Sequence, residues 1–143
     1  MKKIFAEKNI KFLFLIFALV LLSCREEVVA PDNPAGNINE PVQYSTRNSY
    51  TFLINADKIS EKVSNFPNLN STAIRLFITI QDISSGSVLV SLSNKDNQVW
   101  YADTYGADID NHRIELLGNS PEIISIRMIN FTGKLKVQLT SFK

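Results

Sequence analysis

From Tyr44 to the C-terminal end, apolar and polar residues alternate with period two, which restricts this part of the chain to strands with one buried face. Ile74, Leu76, Ile78 and Ile80 alternate with Arg75, Phe77, Thr79 and Gln81. Val88, Val90 and Leu92 are interleaved with Leu89, Ser91 and Ser93, and Ile124, Ile126 and Met128 with Ser125, Arg127 and Ile129. The sharpest case is Leu135, Val137 and Leu139 set among Lys134, Lys136, Gln138 and Thr140. Weaker strands are expected at Ser49–Asn55, Gln98–Asp103 and Arg113–Leu117.

Turn-forming residues separate these runs. Ser84-Ser85-Gly86 and Asn94-Lys95-Asp96-Asn97 each divide two strands, and Thr132-Gly133 joins a final hairpin. Asp57–Asn70 breaks the pattern: Asp57 is placed to cap a short helix holding Ile59, Glu61, Lys62 and Val63, with Pro67 ending it. The sum is seven or eight strands in about 100 residues with turns every 8 to 12 positions, an all-β antiparallel β-sandwich, with a small closed barrel as the alternative.

Ahead of the strands lies a different kind of sequence. Lys2, Lys3, Lys8 and Lys11 precede an apolar run from Phe12 to Leu22, which is the plan of a secretory signal. Eleven apolar residues are too few for a transmembrane helix, which needs about 20. The run ends Leu21-Leu22-Ser23-Cys24, and this resembles the lipobox of bacterial lipoproteins, although Leu22 is bulkier than the residue usual there. The resemblance implies cleavage between Ser23 and Cys24, a lipid on Cys24 and residence at a bacterial outer membrane. Several acyl chains on one residue make such attachment stable where a single chain would not.

Residues 24–43 then read as the lipidated cysteine and a flexible linker. Pro31, Pro34 and Pro41 fall in a stretch without apolar periodicity, and about 19 such residues reach roughly 25 Å. Arg25-Glu26-Glu27 resembles the export signal of surface lipoproteins from Bacteroidetes-type bacteria; a generic hydrophilic linker has the same composition. The folded domain is expected to span residues 44–143.

Composition excludes several kinds of chemistry. Cys24 is the only cysteine, so the domain has neither a thiolate metal site nor a cysteine nucleophile. His112 is the only histidine, and no Gly-x-Ser-x-Gly elbow accompanies it, so no catalytic residue is expected and the protein reads as a non-enzyme. Without Lys2, Lys3, Lys8, Lys11 and Glu7, the 15 basic and 14 acidic side chains of the chain reduce to a net charge of about −2. That balance makes no electrostatic case for nucleic acid.

Two clusters remain as candidate sites. Trp100, Tyr101 and Tyr105 form an aromatic group able to stack on sugar rings or anchor a protein interface, although Trp100 and Tyr101 point to opposite faces of a strand. Asp103, Asp108 and Asp110, near Gly106, offer oxygen ligands for calcium, yet they match no EF-hand and equally suit a solvated turn; no cofactor is expected. Phe77 and Ile129 stand at polar positions of their strands, as an exposed apolar patch or as a sign of strands covered on both sides. The expected function is a cell-surface module binding glycan or protein; the alternative is a periplasm-facing accessory subunit of an envelope complex.

Overall fold

The computed structural model describes residues 37–118 and 120–142. The signal and lipobox, including Ser23 and Cys24, and the linker up to residue 36 lie outside the described residues. Six strands follow in order: β1 (Val42–Ser45), β2 (Ser49–Asn65), β3 (Ala73–Ser93), β4 (Val99–Tyr105), β5 (Ile109–Leu117) and β6 (Ile123–Ser141). All pair antiparallel in one open sheet of order β1-β2-β6-β3-β4, with β5 also on β3.

Three of these strands are 17 to 21 residues long, and each changes direction near its middle. The register of β2 on β6 shifts after Ala56, and that of β3 on β6 shifts between Gln81 and Ser87. Lys58, Asp82, Gly86, Asn130 and Gly133 all take positive φ at this level, so the three bends stand side by side. Such bulges bend a strand and increase its twist.

The bends fold the sheet onto itself. Gln43 pairs with Phe52, thirteen residues before Asn65. A straight strand would hold those positions about 40 Å apart, yet the Asn65 amide donates to Gln43 Oε1 at 2.7 Å. One layer therefore contains β1, the first half of β2, the second half of β6, the first half of β3 and β5. The other contains the remaining halves of those long strands and β4. Between them lies one core, from Phe52, Ile54, Ile74, Leu76, Ile78, Leu135 and Val137 on one side to Val88, Val90, Leu92, Ile124, Ile126 and Met128 on the other. Phe131, fully buried, fills the fold line.

The all-β sandwich is thus present, as an open sheet rather than a closed barrel, with six strands in place of seven or eight. The expected helix after Asp57 is instead the second half of β2, where Ile59 pairs with Phe131 and Val63 with Ile126. Pairing with β6 overrides a four-residue apolar spacing too short to hold a helix by itself. Ser84-Ser85-Gly86 and Thr132-Gly133 do not end strands; they are the bends within β3 and β6. A two-residue turn signal and a sharp bulge use the same residues, because both need a positive φ. The Asn94–Asn97 turn is as expected, closed by Asn94 N–H to Gln98 O at 3.1 Å. At the front, residues 37–43, expected as linker, lie along β2: Ile38 bridges Asn55, Asn39 accepts the Asp57 N–H at 2.8 Å, and Val42 opens β1.

Candidate binding surface

The aromatic group on β4 is divided by the fold. Tyr105 is buried, 7% exposed, and Tyr101 packs against the same core. Their hydroxyls are hydrogen-bonded to each other. Burial pushes both phenols above their ordinary pKa, and the Asp103 carboxylate adds to the rise. His112 meets the Tyr105 ring edge-on, 6.1 Å between centroids. Trp100 is half-buried and occupies the register shift where Tyr101 pairs with Leu92 but Val99 with Ser93. The three rings therefore form no common platform.

The acidic loop is likewise committed to local structure. Asp108 Oδ1 accepts the Ile83 N–H at 2.9 Å, pinning the β4–β5 connection to the bend of β3. Asp103 Oδ1 accepts the Thr104 N–H at 2.8 Å, and Asp110 is exposed on β5. Among the described residues, no three of His, Cys, Asp and Glu come together as metal ligands.

At one end of the sandwich, the β2–β3, β3–β4 and β5–β6 connections enclose a cleft of about 480 Å³ lined by Phe66, Leu69, Lys95 and Glu122. Of its polar side chains, Lys95, Glu122 and Ser120 are already occupied. Glu122 accepts the Lys95 N–H at 2.9 Å and lies 3.2 Å from Lys95 Nζ, contacts that hold its carboxyl below the usual range. The Ser120 hydroxyl donates to Leu69 O at 3.0 Å. These bonds close the end of the sandwich and leave few groups to orient a ligand.

The outer face of the first layer is different. Directly paired residues of an antiparallel sheet share a face, so the registers place Tyr44, Thr51, Gln138, Phe77 and Arg113 in one row across β1, β2, β6, β3 and β5. Tyr44 is 54% exposed and Phe77 half-buried. Three strand spacings put them roughly 14 Å apart, with the amide of Gln138 and the hydroxyl of Thr51 between. Parallel rows contribute Lys136 beside Thr79, and Thr140, Arg75 and Glu115. Glu115 pairs with both Arg113 and Arg75, whose guanidinium also covers the Phe142 ring at 4.0 Å. The two guanidiniums, Arg113 foremost, hold the Glu115 carboxyl below its ordinary range.

Of this row, only Phe77 stands out in the sequence, as an apolar residue at a polar position. Tyr44 precedes the long alternating runs, and Gln138 and Arg113 look like ordinary solvated positions. Ile129, the other such apolar residue, is 46% exposed but belongs to the second layer's outer face, where it pairs with Ser87. Phe77 and Ile129 share no patch.

No protein-family model matches the chain, and no curated protein matches it. Solved structures similar to it include a family 29 carbohydrate-binding module, 10% identical over 71% of this chain and 78% of that one, TM-score 0.39. A mutant of such a module is 10% identical over 75% and 85%, TM-score 0.39. The cysteine peptidase Peruvianin-I from Thevetia peruviana latex is 14% identical over 82% and 78%, TM-score 0.38. At this level of similarity none of them bears on what this chain binds or catalyses.

Proposed function

We propose that the protein is a lipid-anchored, non-catalytic binding module that holds a glycan on the outer face of its first layer. The observation that carries this reading is the row Tyr44–Thr51–Gln138–Phe77–Arg113, with two aromatic side chains on one face and hydrogen-bonding groups between them. Sugar rings present apolar C–H faces and equatorial hydroxyls, so rings spaced along a row can stack on the first while an amide and a guanidinium meet the second. Its place on regular strands, rather than on loops, keeps these groups preorganised.

Two experiments test it. In a glycan-array screen with the full-length chain in neutral detergent, Phe77→Ala and Tyr44→Ala should each weaken the best ligand by about tenfold or more, as loss of an aromatic anchor does. Trp100→Ala should not. Retention of affinity in both row variants, with loss in Trp100→Ala, would move the site to β4. For the anchor, Cys24→Ser should release the protein from the membrane fraction; maturation and retention identical to wild type would reject lipidation.

A further inference from the structure

Basic side chains stand beside the aromatic row on the outer face of the first layer, a grouping that the near-neutral composition conceals. Arg75, Arg113, Lys134 and Lys136 all belong to the outer face of the first layer, and Glu115 is the one carboxylate paired into those rows. Lys134 is neutralised by Asp82 at the bend, 2.7 Å from Nζ to Oδ2. Glu115 is shared between two guanidiniums, so one positive charge there is left over. Lys136 has no carboxylate partner among the described residues and stands one row from Phe77, beside Thr79 and Leu53. Both surplus charges therefore border the aromatic row: Arg113 is the direct register partner of Phe77, and Lys136 lies two residues from Gln138 along β6.

From this juxtaposition we infer that the ligand of the row is an acidic polysaccharide whose uronic acid carboxylates are met by Arg113 and Lys136 while its rings stack on Phe77 and Tyr44. The inference rests on the glycan reading above and adds the charge class of the ligand. A planar guanidinium already pairs with a carboxylate at this spot through Glu115, and the same fork geometry accepts a second one. A sugar ring seated on Phe77 brings its substituents within one strand spacing of Arg113. The outer face of the second layer supplies the contrast. Lys62 and Arg127 are paired there beside a row of Ser64, Ser125 and Ser91, with no aromatic ring in that row.

The test compares polygalacturonate with its fully methyl-esterified form, which keeps the backbone and removes the charge, binding each to the full-length chain in neutral detergent. The acid form should bind about fivefold tighter at low salt, and the difference should shrink as salt rises, as expected for two solvent-exposed charge contacts. Lys136→Gln, outside the aromatic row, should reduce that preference while leaving the binding of the ester. Arg113→Gln should reduce the preference and also weaken the ester, since its guanidinium meets the sugar hydroxyls as well. Lys62→Gln, on the other face, should change nothing. Equal binding of both forms would overturn the charge inference and leave the glycan reading standing, whereas loss of the preference in Lys62→Gln would show only a net-charge effect and also overturn it. Binding of neither form would overturn it too, with the array screen then deciding the glycan reading by itself. Competition by phosphatidylglycerol vesicles that needs Lys136 and survives Phe77→Ala would assign the face to a membrane instead.

Discussion

At the scale of single residues, the domain separates tyrosines that serve the fold from those free to meet a ligand. Tyr50, Tyr101 and Tyr105 are packed against the core, and burial raises the pKa of each phenol. Tyr50 donates to Gln43 Oε1 at 3.0 Å, and Tyr101 and Tyr105 bond each other. A phenol whose folded pKa is raised contributes stability that is present in full below the unfolded value near 10 and is lost as pH climbs toward the folded one. Stability to urea should therefore be level between pH 7 and 9 and fall above about pH 10, and Tyr105→Phe should make that fall shallower. A profile unchanged to pH 11 would show that these rings are solvated. Tyr44, by contrast, is 54% exposed and available to solvent and ligand.

At the scale of elements, the decisive feature is the bend shared by β2, β3 and β6. Its backbone groups are tied across the strands: Lys58 N–H donates to Thr132 Oγ1 at 2.9 Å, and Ser85 Oγ donates to Asn130 O at 2.9 Å. The Asn130 N–H in turn donates to Ser60 Oγ at 2.8 Å. Gly86 lies within this knot at φ +78°, and a Cβ there would come within 2.3 Å of the backbone oxygens of Ile129 and Asn130. Gly86→Ala should cost on the order of 3 kcal/mol or more, since it combines left-handed strain with a clash against backbone. Chemical denaturation would register this as a lower midpoint; a midpoint within error of wild type would mean that the strands separate freely at this point.

At the scale of the whole molecule, both layers are made from the same three long strands, so neither layer can exist without the other. Unfolding should be one cooperative transition, with fluorescence and circular dichroism melting together. Val137 is fully buried, paired on one side with Phe52 and on the other with Ile78. Val137→Asp would place an unpaired charge at the centre of the first layer and should abolish the folded state of both. Separate transitions for the two layers, or a Val137→Asp protein that still melts cooperatively near the wild-type temperature, would show that the core is not continuous. The same architecture produces two solvent faces that both carry basic side chains but differ in what lies beside them: on the first, the rings of Tyr44 and Phe77, and on the second, a row of serines next to Lys62 and Arg127.

What the sequence determined by itself is the set of strands and their inward faces. Period-two alternation is a local property, and every inward-facing position of the runs at Ile74–Ile80, Val88–Leu92 and Leu135–Leu139 is buried as the pattern requires, while Phe77 and Leu89, on the other phase, stay half-buried. Tertiary structure decided where the strands turn and what lies beside what. Gly86 and Gly133 give the same local signal in a hairpin and in a bulge, and only the pairing of β6 along the full length of β3 makes them bends. The Ile59–Val63 segment matches a helix locally and becomes strand because β6 offers it partners. Tyr44, Gln138, Phe77 and Arg113 are separated by up to 94 positions, so no spacing rule can relate them; sheet register alone sets them in one row. Net charge follows from composition, but the placing of Arg113 and Lys136 beside the rings of one row is a product of the fold.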